Sequence, residues 1–374
     1  METSEATPRG GVKAEDLAGL VQGTGPFLSV YLETRADIEN AGPLTEQRWR
    51  TLRSELAEAG APEGALANVD PAIEGAHLEG GCLFAVANEG GLLHVEHGPE
   101  APASELSHWG SLPPLASVIR WRQDHPAHVV VLTDRTGADL HAVRFGRPDI
   151  HREAGGDDDP VRKVGPGGWS QRRFQERAET TWEENAKDVA VEVERLVSSV
   201  EAGLVVVSGD VRAVQLLKES LPDPPGATIE EVGGGGRATD GSRDELEREI
   251  EQVVDAYAAR RGAELLEFFE RERGQRDKAA EGARDVLQAL AMSQVEILLV
   301  DDAAATMQTA WFGPEAAQVA LSKDDVQGLG AEDPIEAPLT DVCIRTALLT
   351  GARIAVMPAE AGVRDGLGAL LRWS

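Results

Sequence analysis

Short apolar runs set between longer stretches of helical periodicity constrain this chain more than any other feature. Residues 27–34, 81–86, 92–95, 128–133, 139–145, 204–207, 295–300 and 353–357 have the length and composition of strands. Between them, apolar residues recur every three or four positions. Trp49, Leu52 and Leu56 share one face of a helix beginning near Thr45. Phe174, Ala178, Trp182, Val189, Val193, Leu196 and Val200 form a longer stripe on a helix beginning near Ser170. Leu246, Ile250, Val253, Val254 and Tyr257 form another, opened by a Ser242–Glu245 capping box and continued past Gly262 by Leu265, Phe268 and Phe269. Further helices are expected over 283–291 and 341–349, and one ending at 216–221. Helices alternating with strands imply an α/β fold.

The chain's 374 residues suffice for several cores, and the pattern divides into 1–125, 126–272 and 273–374, without internal repeats. Stretches 98–114 and 146–168 are expected to be loops. Only 4% of residues are aromatic, so packing must rest on Ala, Val and Leu. Cys82 and Cys343 lie in apolar surroundings, lack metal-ligand spacing and suggest a reducing compartment. The N-terminus lacks a signal-type apolar segment, and no run is long enough to span a membrane, so a cytoplasmic location is expected.

The net charge of −29 argues against nonspecific binding to free nucleic acid. One segment opposes that background. From Val161 to Arg177 there are Arg162, Lys163, Arg172, Arg173 and Arg177 against Glu176 alone, a local charge of +4. The glycine-rich run 164–168 leads directly into the long helix. Gly167 and Gly168 permit backbone geometry closed to other residues, and successive amides at a helix start can cradle an anion. Basic residues at a helix N-terminus oppose its dipole, which suggests that they serve a ligand. A mobile loop on an ordinary helix would give the same glycine pattern, and disorder is expected across 155–169 off its target.

Asp134, Asp139 and Asp210 fall at or near strand ends in the middle region. Carboxylates so placed can hold Mg²⁺ for nucleic-acid hydrolysis. The same residues fit turn and cap chemistry, Asp134 opening a turn and Asp210 leading into a helix. The eight histidines are scattered without ligand spacing, and neither a nucleophile elbow nor a Walker loop is present. No cofactor or metal is expected.

The segment Gly167-Gly168-Trp169-Ser170-Gln171-Arg172-Arg173-Phe174 resembles the loop of the archaeal and eukaryotic class I release factors and their Pelota relatives. Those proteins carry Gly-Gly-Gln, Ser, two residues and Arg-Phe at the start of a long helix. Trp169 stands here in place of the glutamine. Residues 281–290 leading into 295–300, and 366–373, are similar to the opening and closing motifs of that family's third domain. The pattern looks most like bacterial homologues that include Balon-type ribosome hibernation factors of actinobacteria.

The resemblance implies an N-terminal α/β domain facing the decoding centre, an RNase H-like middle domain reaching the peptidyl-transferase centre, and an L7Ae-like third domain. The implied partners are the ribosome, P-site tRNA and a translational GTPase, elongation factor Tu in the hibernation group. Arg162, Lys163, Gly167, Gly168, Trp169, Ser170, Arg172, Arg173 and Arg177 would contact RNA. An indole cannot position water as the family's glutamine does, so a tRNA-mimicking A-site occupant without hydrolysis is expected, in the setting of stress. Peptidyl-tRNA hydrolysis through Gln171, as in release or rescue, is the alternative.

Overall fold

The computed structural model describes residues 10–23, 25–34, 40–98, 105–144, 149–155, 168–222, 226–233, 243–275, 278–301, 308–358 and 361–373, without the side chains of 168–181 and 243. Two compact units emerge. One is continuous, Asp124–Ala259; the other is discontinuous, joining Met1–Gln123 to Arg260–Ser374.

The N-terminal part of the discontinuous unit comprises β1 (Phe27–Glu33), α1 (Ala41–Glu58), α2 (Glu63–Ile73), β2 (Cys82–Asn88), β3 (Gly91–Gly98), β4 (Leu106–Gly110) and α3 (Ala116–Asp124). The strands form an antiparallel sheet ordered β3-β2-β1-β4. Leu28, Val30 and Leu32 of β1 pack with Trp49, Leu52 and Leu56 of α1 and Leu66, Val69 and Ile73 of α2. On the other face Tyr31 meets Trp121 of α3 at 5.7 Å between ring centroids. β1 is thus covered on both faces, which explains its run of buried residues where alternation was only partial. β4 lies within the stretch expected to be loop: its five residues are all only half-buried, so hydrophobic patterning could not announce it. Gly98 is obligatory, because a Cβ there would fall 1.1 Å from the Trp121 ring.

The continuous unit holds β5 (His128–Thr133), β6 (Gly137–Val143), β7 (Ile150–Gly155), α4 (Gly168–Val200), β8 (Leu204–Gly209), α5 (Val211–Ser220), β9 (Thr228–Glu231) and the first part of α6 (Arg243–Gln275). Its sheet runs β7-β6-β5-β8-β9, with β5, β8 and β9 parallel and β6 antiparallel to both neighbours. Val129, Val131, Leu140, Val205 and Val207 face α4 and α5, meeting Val189, Val193, Leu196, Val214 and Leu217. Leu204 and Val206 face Leu246, Val254 and Tyr257 of α6. β7 corrects the other expected loop; its residues are mostly exposed, and the antiparallel register His141↔His151 holds it rather than burial. Gly155, expected to be disordered, closes that strand, and α4 starts two residues before Ser170. Ser242 lies outside the described residues, so the expected capping box does too.

The C-terminal part adds β10 (Ala279–Glu281), α7 (Ala283–Ala291), β11 (Val295–Asp301), β12 (Thr309–Phe312), β13 (Val319–Ala320), α8 (Lys323–Gly328), β14 (Ile335–Pro338), α9 (Leu339–Leu349), β15 (Arg353–Met357) and β16 (Leu367–Leu371). The main sheet is ordered β10-β16-β11-β15 and a small one β13-β12-β14. Leu265, Phe268 and Phe269 from the end of α6 pack on Ile297, Leu299, Ala355 and Leu370.

β15 is an edge strand, and N-terminal elements cover that edge. Val12 exchanges two backbone hydrogen bonds with Ile354, at 2.7 and 3.0 Å. The Gln123 amide exchanges two more with Val356, both 3.0 Å, and Arg120 donates to the Met357 carbonyl. The strap 10–21 is pinned further by Arg353 donating to the Gly10 carbonyl and by fully buried Arg345 donating to the Val21 carbonyl. Asp16 in the same strap takes two bonds from Arg122, at 2.9 and 2.8 Å, and Arg122 also binds buried Glu96 of β3. This wiring counters the tendency of open edges to recruit other strands, and it joins residues more than 340 positions apart.

Among the described residues no helix is long and apolar enough to cross a membrane.

Candidate functional site

α4 carries the candidate loop. Its C-terminal half is fixed in the core by Val189, Val193, Leu196 and Val200. At 1.5 Å per residue, Gly168 lies about 21 Å up the helix from Trp182. The backbones of Gly168, Trp169, Ser170, Gln171, Arg172, Arg173 and Arg177 belong to α4. Their side chains, and Arg162, Lys163 and Gly167 entirely, lie outside the described residues. Gln171 therefore sits within the first turn of the helix.

Deeper along α4, at the carboxyl ends of β5 and β8, the described side chains converge. Gly209 makes the approach possible: with φ +143, it sits where a Cβ would come within 1.8 Å of the Thr133 carbonyl oxygen. The Asp210 amide then bonds that carbonyl at 3.1 Å, bringing the residues after both strands side by side. Asp210 caps α5 by accepting from the Arg212 and Ala213 amides at 3.0 and 3.3 Å, and it pairs with Arg135 at 3.2 Å. Burial works to raise its pKa, but these amides and the guanidinium hold it below the ordinary carboxylate value. Asp134 accepts from the Thr136 amide and hydroxyl and the Gly137 amide at 2.7, 2.6 and 3.0 Å, closing the β5–β6 turn.

These bonds settle the two carboxylates in turn and cap roles. Asp139 is mid-strand on β6, opposite Leu132 and Glu153. Among the described residues no three His, Cys, Asp or Glu are grouped to hold a metal ion. Backbone amides and an arginine thus engage Asp134 and Asp210, and these two do not gather with Asp139 into a metal-holding group.

The same corner forms a shallow depression open to solvent, with little enclosed space. Arg135 lies over the Trp182 ring, 4.9 Å from its centroid. The Asn185 amide, 8% exposed, donates to the Arg135 carbonyl at 3.3 Å. Val189 and Leu216 form an apolar floor, and exposed Arg212 stands at the rim. Trp182, expected within the helix's apolar stripe, is only half-buried, and the side chains of Phe174 and Ala178 above it lie outside the described residues. Arg135 and Arg212 gave no signal in the sequence, since each simply follows a turn or a cap.

The histidines are less scattered than the sequence suggests. Register pairs His141 with His151, and their rings stack at 4.2 Å and 18°. His141 Nε2 lies 2.8 Å from Asp149. Two strands and a cross-strand register create this pair, so spacing along the chain could not reveal it.

Residues 127–275 match the family described as bacterial archaeo-eukaryotic release factor family 2. The likeness to archaeal and eukaryotic class I release factors is thus borne out for that region, which contains Gly167–Phe174; the match does not reach the narrower hibernation-factor group. "Uncharacterized protein Rv2629" and "Uncharacterized protein MT2704", from two strains of Mycobacterium tuberculosis, are each 28% identical to the chain over 97% of both lengths. Among solved structures, archaeal Pelota in a ribosome-bound model with ABCE1 aligns over 97% of this chain and 96% of its own at 15% identity, TM-score 0.42. Pelota of Archaeoglobus fulgidus aligns over 96% and 92% at 15% identity, TM-score 0.31.

Proposed function

We propose that the chain is a ribosome-binding translation factor of the release-factor type that occupies the A site without cleaving peptidyl-tRNA. The observation that carries this is the family match across 127–275, a region whose loop keeps the glycines, serine and Arg-Phe but has Trp169 at the glutamine position. The local charge of +4 in a chain of −29 supports it, because such a surface approaches RNA with one segment only. Arg162, Lys163, Arg172, Arg173 and Arg177 contact rRNA or tRNA phosphates. Gly167, Gly168, Trp169 and Ser170 form the tip. Losing one transition-state hydrogen-bond donor typically costs about 100- to 1000-fold in rate, so an indole in place of the amide favours occupancy over chemistry.

In this reading three modules act in series, 1–125 toward the decoding centre, 126–272 as an RNase H-like arm and 273–374 as an L7Ae-like module toward a translational GTPase such as elongation factor Tu. The setting is cytoplasmic and, in the hibernation variant, stress-linked.

The test is co-sedimentation with vacant and peptidyl-tRNA-loaded ribosomes, following the nascent-chain ester in the same tube. Binding with an intact ester is the expected result. Ester loss abolished by Gln171→Ala would replace occupancy by the hydrolase reading, and absence of binding to either ribosome would remove both.

A further inference from the structure

The depression at the carboxyl ends of β5 and β8 has features that packing does not require. We infer that the exposed surface of the Arg135–Trp182 stack is a platform on which one unpaired RNA base stacks, with Arg212 on a neighbouring phosphate. This rests on the ribosome-binding reading above, and it adds a contact on the folded body of the middle unit, away from the loop.

A Trp–Arg pair that served packing alone would be enclosed, yet Trp182 is half-buried and the Arg135 side chain 54% exposed. The stack is held in place from behind: Asp210 grips the Arg135 guanidinium, and Asn185 binds its carbonyl. A planar cation fixed against an indole presents a flat, preorganised platform, the surface on which a nucleobase stacks.

Charge distinguishes the ligand. Arg135 and Arg212 are balanced by Asp134 and Asp210, so the site offers little net attraction to a bare anion. Acidic peptides would meet both carboxylates. A base needs stacking and an edge contact rather than net charge, and Arg212, without an ion-pair partner among the described residues, serves the adjoining phosphate. Unpaired bases splayed from loops and bulges are the usual targets of such platforms.

The test compares wild type with Trp182→Ala, Trp182→Phe, Arg135→Ala and Arg212→Ala. Two probes are used, vacant ribosomes in a pelleting assay and a short mixed-sequence single-stranded oligoribonucleotide in fluorescence anisotropy. Melting of the middle unit is followed for each variant. Trp182→Ala and Arg135→Ala should weaken ribosome binding by about 5- to 100-fold at unchanged melting, with Trp182→Phe keeping most of the affinity. Trp182→Ala should leave the salt dependence intact, whereas Arg212→Ala should reduce its slope by roughly 0.7–0.9. If wild type binds ribosomes and the Trp182 and Arg135 variants bind equally well, this site is overturned and the proposed function stands. If wild type fails on ribosomes but binds the oligonucleotide through Trp182, the function falls and the site stands. Failure on both probes overturns both. Should Trp182→Ala unfold the unit, Arg135→Ala decides the matter by the same criterion, with Trp182→Phe as the folded control that keeps its affinity.

Discussion

Replacing Gln123 by Leu tests whether the N-terminal part truly completes the edge of β15. Gln123 gives and takes one hydrogen bond with Val356, both 3.0 Å, and Val356 is fully buried. Leucine fills similar space but strips both backbone groups of their partners and keeps water from replacing them. A buried unpaired amide or carbonyl costs about 1–3 kcal/mol, so losing both partners costs about 2–6 kcal/mol. The two Val12–Ile354 bonds and the Arg120–Met357 bond persist, which keeps the strand in place and puts the loss near the lower bound. For a unit of this size each kcal/mol moves the melting temperature about 2–4 °C, so a fall of about 4–8 °C is expected. Differential scanning calorimetry should show it in the transition of the discontinuous unit, with the Asp124–Ala259 unit unchanged. Amide exchange at Val356 should quicken in parallel. A shift under about 1 °C with Val356 still protected would refute the reasoning, because the edge would then be satisfied without the glutamine.

Acidification should loosen the same unit. Burial pushes Glu96 upward, but hydrogen bonds from His94 and Arg122 outweigh it and leave its pKa lowered; Asp16 is lowered likewise, Arg122 outweighing burial. A carboxylate with a depressed folded pKa contributes stability above its unfolded value and loses it as pH falls through the folded one. Melting temperature should therefore decline as pH drops below the ordinary carboxylate range, less steeply in Glu96→Gln, and equal slopes would exclude this network as the cause. Arg172→Ala with Arg173→Ala should lower the salt slope of ribosome binding by about 1.5, two phosphate contacts' worth; an unchanged slope in salt-titrated pelleting removes the pair from the footprint. Asp210→Ala should cost about 1 kcal/mol through the lost α5 cap, seen in urea titration, and should leave any Mg²⁺-dependent cleavage of RNA unaltered.

The sequence disclosed the parts that are governed by burial. α7 and β15 have the expected limits, and β5 too, because each is a compact apolar run bounded by turn residues. It concealed β4, β7 and β9, whose residues are largely half-buried or exposed and which exist by register with a neighbour. It also concealed α2, where Pro71 inside the helix interrupts the pattern yet is tolerated near its end. At the candidate site the basic loop was legible because charge is local in sequence. The Arg135–Trp182 platform was not, since Arg135 lies in the turn after β5 and Trp182 on α4, far apart in sequence and joined only by the fold. The discontinuous unit was likewise invisible: hydrogen bonds from Gln123 and Val12 to β15 have no signature in periodicity.

That discontinuity imposes a timetable on synthesis. The strap at Val12 is made before its partner Ile354, which follows 342 residues later. At about 5–20 residues per second, the wait is roughly 17–70 s. Meanwhile residues 124–259 can fold as a self-contained insert, and the N-terminal sheet has nothing to clasp. A chain cut short before β15 would keep a formed middle unit but a permanently open first one, exposing Val12, Arg120 and Gln123 to surveillance by proteases. Seating of the strap therefore waits on β15, Arg353–Met357, which must be made before Val12 finds its partner.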